Sequence, residues 1–311
     1  MNITDLIFWE IVLAGAFRLA TPIAFAALGE AIVERSGTIN VGVDGIMVAG
    51  AFAGVYGANQ GGWATGILLA AAVGAALGLV MALAVLWGGV DQIVTGIALA
   101  LLGTGLTSYL FQVWQPSGRS AVLIPLAPTI KIPGLKDIPL VGEALFAQNL
   151  LTYVCVALVI ATAWALRRTR AGLAVRAAGD DPSAALVRGI RVRAVRASSL
   201  AVGGALAGIG GASITVGYLG SFTDGITAGR GFIAIAVVII GRWTPIGAVL
   251  GALLFAGFDS LALQAQGGTI KGLPVEAYSA LPYAVTLIVL VATARRQRAP
   301  RSLGRPLAVG Q

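Results

Sequence analysis

Apolar residues fall in long continuous runs along most of this chain, without the alternating segments of roughly 10 residues that mark a membrane β-barrel. The runs predict spans over approximately 6–30, 43–58, 63–87, 92–111, 149–166, 197–218, 231–241, 246–265 and 278–294. Most reach the ~20 residues that a helix needs to cross a bilayer. Two of them, 43–58 and 231–241, are short, and each follows a Gly-rich polar stretch. The expected fold is all-α: one polytopic membrane unit over 1–311, with about eight to ten transmembrane helices, two of them short or broken.

One charged island interrupts this pattern. Residues 167–196 carry eight Arg and two Asp, with apolar runs on both sides. Basic loops favour the cytoplasmic side, so this one is expected there. It also has the makings of a folded element, because Asp180-Asp181-Pro182 supplies a cap and a first-turn proline for a short helix. The tail, 295–311, carries five more Arg and is expected on the same side. Four spans separate island and tail, an even number, as a shared side requires. Counting back five spans puts the N-terminus outside and 112–148 in an external loop, with Lys131 outside and Arg188 and Arg298 in the cytosol. That loop holds five prolines, which exclude a long helix and predict an ordered loop or a short extended lid.

Composition narrows the chemistry. A mean hydropathy of +0.90, with 58% hydrophobic and 11% charged residues, excludes a soluble domain. The net charge of +8 is explained by the island and the tail, which hold 13 of the 21 Lys and Arg, so nucleic acid is not an expected partner. There is no His and a single Cys, Cys155, in an apolar run, which leaves no zinc site, disulfide or Ser-His pair. The chain has no Gly-rich phosphate loop of the Walker type. No basic leader or cleavage site precedes the first run, so no removable signal peptide is expected. Most of the 43 Gly are read as close helix packing.

Two polar breaks are the candidate working parts. The first runs from Glu34 to Gly45 and contains Thr38, Asn40 and Asp44; the second runs from Gly220 to Gly231 and contains Phe222, Asp224, Thr227 and Arg230. Backbone polar groups at membrane depth survive only inside protein or beside water, and carboxylates there usually face the bundle interior. The breaks are therefore read as flanking a polar translocation path, with ordinary interfacial loops as the plainer alternative. One break falls inside and the other outside, as in an inverted repeat. Gln92, Thr95, Asp259 and Gln264 are further polar residues within spans. Thr38, Asn40, Asp44, Gln92, Phe222, Asp224, Thr227 and Arg230 are the candidate path residues. Few charges stand near the breaks, so the expected cargo is a small neutral solute. An ion-coupled secondary transporter using Asp44, Asp224 and Asp259 is the alternative; a membrane-embedded enzyme lacks the residues for it.

Leu28-Gly29-Glu30, with the stretch from Glu34-Arg35-Ser36-Gly37 to Asp44-Gly45-Ile46-Met47, resembles the signature near the first spans of ABC-importer permeases of the branched-chain amino acid, ribose and simple-sugar type. The segment from Arg176 to Ala185, with Gly189-Ile190, is similar to the coupling loop of that family. The segment Thr227-Ala228-Gly229-Arg230-Gly231-Phe232, with Gly241-Arg242-Trp243, resembles a third motif, best matched in the nucleoside-uptake branch. The resemblance implies a multi-pass permease of a bacterial plasma membrane with no ATP site and no cofactor of its own. It implies a second permease subunit, related and so a heterodimer, together with two cytoplasmic ATPase subunits and an extracytoplasmic substrate-binding protein. On the same basis Arg176, Gly179, Asp180, Pro182, Ala185 and Gly189 are the expected ATPase-coupling residues, and the cargo is a nucleoside, or next a simple sugar.

Overall fold

The computed structural model describes residues 6–115, 122–134, 138, 142–266, 275–293 and 299–306. Pro116, Lys136, Pro139, Arg295, Arg296 and Arg298 lie outside the described residues. The chain is an all-α bundle, as the apolar runs predict. Its long helices are α1 (Leu6–Arg35), α2 (Val43–Gly61), α3 (Trp63–Ala82, continued by a π-helical turn at Leu83–Trp87) and α4 (Gln92–Trp114). After a two-stranded antiparallel ribbon, β1 (Thr129–Lys131) and β2 (Ala147–Asn149), with the short α5 (Gly142–Phe146) between its strands, comes α6 (Leu150–Arg168). The island folds as α7 (Arg170–Asp180) and α8 (Pro182–Val187). The last helices are α9 (Val192–Ile214, with a π-helical turn at Thr215–Leu219), α10 (Arg230–Ile240), α11 (Pro245–Gln264) and α12 (Val275–Thr293). Among the described residues six helices are long and apolar enough to cross a membrane: α1, α3, α4, α6, α9 and α11. The 19-residue α2 and the shorter apolar stretches in α10 and α12 complete the set of expected spans.

α9 is the central post, with α1, α2 and α3 around it. Glycine makes this possible. Gly203, Gly204 and Gly208 of α9 lie against Gly29 of α1, Gly74 of α3 and Gly50 of α2, backbone to backbone. A Cβ added at Gly29 would sit 2.6 Å from the Gly203 carbonyl oxygen. In lipid no hydrophobic drive separates helix from tail, so such close van der Waals contact is what holds neighbours together.

The two breaks behave differently. α1 runs on to Arg35, beyond the expected end near residue 30, and the first break is a tight return over 36–42. The second break, 220–229, is an irregular strand of chain with left-handed residues at Gly220, Gly225, Ala228 and Gly229. α10, which follows it, has only 11 residues and is ~16 Å long, about half a bilayer core. The span is therefore half irregular and half helical. Such backbone is tolerated at depth only where protein or a wet cavity meets it.

The C-terminus of α1, the island, the start of α4 and the tail segment 299–306 gather at one end of the bundle, here called the island end. The far end is covered by the segment around Pro125 and Pro128. There Ile124 N–H donates to Gly220 O (2.9 Å) and Ala127 N–H to Val216 O (2.9 Å), while the Asn149 side chain bridges Ala127 O (2.9 Å) and Gly217 O (3.0 Å). The described residues of 112–148 include this proline-rich cover, and α4 takes the first residues of that range as far as Trp114.

Candidate functional site

The N-termini of α2 and α10 meet inside the bundle. Gly231 N–H donates to Asp44 Oδ1 (2.9 Å), and Thr227 Oγ1 donates to Asp44 Oδ2 (3.4 Å). A negative side chain between two helix N-termini is placed where both dipoles favour it. Gly231 is required here because a Cβ would run into the Asp44 backbone. Asp44 sits beside Gly45, which packs on Ala100 of α4, eight residues or ~12 Å along the helix axis from Gln92. The junction therefore lies at membrane depth.

Arg230 extends this junction. Its Nη1 donates to Thr227 O (3.2 Å), its Nη2 lies 3.7 Å from Asp259 Oδ2, and its Nε is buried without a partner. Arg230, Asp259 and Arg18 all act electrostatically on Tyr218, and Arg18 Cζ stands 6.0 Å from the Tyr218 ring centroid, within cation–π reach. Arg18 and Tyr218 line a cavity of about 410 Å³ near the far end, together with Thr21, Thr152, Gln148 and Asn149. A polar string thus runs from that cavity through Tyr218, Arg230 and Asp259 to Asp44. Two arginines and two aspartates cancel along the string itself, and Glu143, an exposed residue, adds one acid at the cavity wall.

Above the junction lies an aromatic cluster. Phe222 packs on Phe111 (ring centroids 4.9 Å apart) and Phe52 (5.8 Å), and Trp114 packs on Tyr56 (5.5 Å) and Phe52 (6.1 Å). Phe222 is buried in this cluster, whereas Phe232 is half exposed. Asp224 is exposed and accepts from Ser108 Oγ (2.7 Å).

Thr38, Asn40 and Gln92 are elsewhere. Their backbone, with the Asn40 and Gln92 side-chain oxygens, belongs to a network at the island end, while Thr38 Oγ1 and Asn40 Nδ2 are buried without a partner among the described residues. Asn40 N–H donates to Glu30 Oε1 (3.0 Å), Ile39 N–H to Gln92 Oε1 (2.8 Å) and Gly42 N–H to Asn40 Oδ1 (3.1 Å). Trp243 Nε1–H donates to Glu34 Oε2, and Arg35 Nε to Trp243 O (2.8 Å). Arg242 and Trp243 are both left-handed, an uncommon state for residues with side chains, and this network holds them there. Thr38 and Asn40 are fully buried, so their side chains face protein. Nothing in the local sequence pattern separated these residues from Asp44.

The island forms as its cap predicts: Asp181 accepts from Ala184 N–H (3.0 Å), and Pro182 opens α8. Two of its small residues, Gly179 and Ala185, point inward. Gly179 lies on the Arg35 carbonyl and Gly37, and Ala185 packs with Ala178 and Val192. Arg176 and Pro182 are half-buried, while Asp180, Ser183, Ala184, Val187, Arg188 and Gly189 are exposed. Val187 is 89% exposed, an apolar side chain on a charged surface.

Residues 12–290 match the family described as branched-chain amino acid transport system, permease component. The chain is 35% identical to the nucleoside ABC transporter permease protein NupC of Lactococcus lactis, over 98% of each protein. It is 33% identical to the guanosine ABC transporter permease protein NupQ of Bacillus subtilis, over 97% of this chain and 98% of that one. A putative glucose ABC transporter permease protein of Haloferax volcanii is 35% identical over 79% of this chain and 75% of its own. No solved structure matches.

Proposed function

Because the chain belongs to the branched-chain amino acid transport system permease family, we propose that it is a permease subunit of an ATP-driven importer and carries a neutral, hydrogen-bonding solute, a nucleoside ahead of a simple sugar. The observation that supports this most is the polar string Asp44–Arg230–Asp259–Tyr218–Arg18 inside otherwise apolar helices. Ionisable groups at membrane depth mark solute paths, and a string whose charges cancel suits cargo without net charge. The buried, unpartnered Arg230 Nε is a donor free for such a cargo, and the exposed Phe232 ring offers a face to a base.

The island end is cytoplasmic in this reading, on the strength of its arginines, and the proline-rich cover faces outside. α8 docks one of the two ATPase subunits through its exposed face, Val187 above all; a second permease subunit completes the path and meets the other ATPase, and an extracytoplasmic binding protein delivers cargo to the cover. The test is uptake of labelled nucleosides, ribose and leucine by cells with and without the gene. Loss of nucleoside uptake that needs ATP and persists after collapse of proton and sodium gradients supports the proposal. Loss of leucine uptake alone overturns the cargo, and uptake driven by an ion gradient overturns the importer class.

A further inference from the structure

A second cavity, of about 320 Å³, opens at the island end between the end of α3, the start of α4, α9 and the tail, and its walls include Leu86, Trp87, Val90, Asp91, Arg193 and Arg196. Its charge is unbalanced. Arg196 is 1% exposed and donates only to neutral acceptors: Ser36 O, Arg305 O, Ala178 O and Ser302 Oγ. The Arg193 side chain has no hydrogen bond or ion pair with any described residue, and its Nε is buried without a partner. Asp91 is the single acid among the lining residues, and its Oδ1 already accepts from Ile93 N–H (2.9 Å) and Val94 N–H (3.0 Å) as the cap of α4.

The rim is of the opposite character. Trp87 is 56% exposed and Val90 47%, and Leu83, one turn before Trp87 on the same helix end, is 60% exposed. A Trp at the end of a span marks the level of lipid headgroups.

We propose that this cavity binds the phosphate headgroup of an anionic phospholipid from the leaflet at the island end, with Arg193 facing the phosphate, Arg196 adding its charge from within the wall, and Leu83, Trp87 and Val90 beside the glycerol and acyl chains. Basic pockets between spans bind such headgroups. The apolar rim favours a lipid over free phosphate, which would use the arginines and leave the rim in water. The site is separate from the polar string, so it stands whether or not the transport reading does.

The experiment uses the purified full-length chain in detergent with phosphatidylglycerol, phosphatidylcholine or inorganic phosphate, read by native mass spectrometry. Brominated forms of both lipids add a second readout, the quenching of Trp87, taken as the difference between wild type and Trp87→Phe. Wild type retains phosphatidylglycerol in preference to phosphatidylcholine. Arg193→Gln weakens phosphatidylglycerol by about fivefold and leaves phosphatidylcholine unchanged, and Arg193→Lys keeps most of the binding. Brominated phosphatidylglycerol quenches Trp87 of the unaltered chain more than the choline lipid does, a result independent of any arginine variant. Equal retention of the two lipids, wild-type binding by Arg193→Gln, or displacement of phosphatidylglycerol by inorganic phosphate each overturns the proposal.

Discussion

Replacing Arg196 by Met tests whether the tail is part of the fold or only a charged end. The guanidinium ties α9 to three other pieces of chain: the first break through Ser36 O (3.0 Å), the tail through Arg305 O (3.2 Å) and Ser302 Oγ (3.1 Å), and α7 through Ala178 O (3.4 Å). Ser302 secures the same corner, donating from its backbone N–H (2.9 Å) and its hydroxyl (2.7 Å) to Gly179 O. Met removes the charge and orphans two buried carbonyls, those of Ser36 and Ala178, because the Ser302 hydroxyl proton is already given to Gly179 O; the Arg305 carbonyl, on an exposed residue, can turn to water. At about 1–3 kcal/mol for each buried group left unpaired, the loss is about 2–6 kcal/mol. Burial of a cation without a carboxylate opposes it, since Met relieves that desolvation, so the net expectation is a loss of about 2–4 kcal/mol. The single buried thiol, Cys155, gives the assay: a thiol-reactive dye reports unfolding as temperature rises. Trypsin at Arg301 reports release of the tail. Arg196→Met lowers the temperature of Cys155 exposure and speeds the tail cleavage. Arg196→Lys does nearly as badly, because one ammonium cannot fork to four acceptors in three segments. If desolvation dominated, Met would melt at or above wild type with the tail still protected, and that result would refute the latch.

Gly29→Leu must push α1 away from α9, so the chain should lose Cys155 protection in mild detergent while Ala14→Leu, on a less crowded part of α1, is tolerated; the same thiol assay compares them. Asp44→Leu removes the acceptor for Gly231 N–H and Thr227 Oγ1, and should abolish uptake in cells at normal membrane abundance; uptake within twofold of wild type would separate this junction from transport. Val187→Glu should leave thermal stability unchanged, because the side chain is 89% exposed, yet depress ATP-driven uptake; intact uptake removes α8 from the proposed ATPase contact. In a Cys155→Ser background, Cys at position 188 should react with an impermeant reagent only in opened cells and Cys at 131 in intact ones, and the reverse pattern inverts the assigned sides.

What the sequence made legible was what neighbours along the chain decide. Hydropathy located the spans, and Asp181 with Pro182 announced α8, because a cap acts within one turn. The site depends on residues far apart in the chain. Asp44 and Gly231 are 187 positions apart, and no periodicity links them. Arg18 and Tyr218 were missed although a lone Arg within the first apolar run was a usable signal: a cation at that depth needs a partner. Thr38 and Asn40 share their residue types with a solute site and the polar break with Asp44, so type and neighbourhood could not divide them. The separating feature was Glu30 and Glu34, one turn apart on α1, whose carboxylates take up Asn40 N–H and Trp243 Nε1–H at the island end. Gly179 and Ala185 show the same limit: small residues suit a docking groove and tight packing equally, and here both are turned inward, so the proposed ATPase contact rests on Val187 and its exposed neighbours. The tail also links these parts. Gly304 N–H donates to Gly37 O (3.2 Å) while Ser302 holds Gly179, so a force on α7 and α8 is passed to the first break and to α1. Any partner that moves the island must either carry the α1 terminus with it or break this corner.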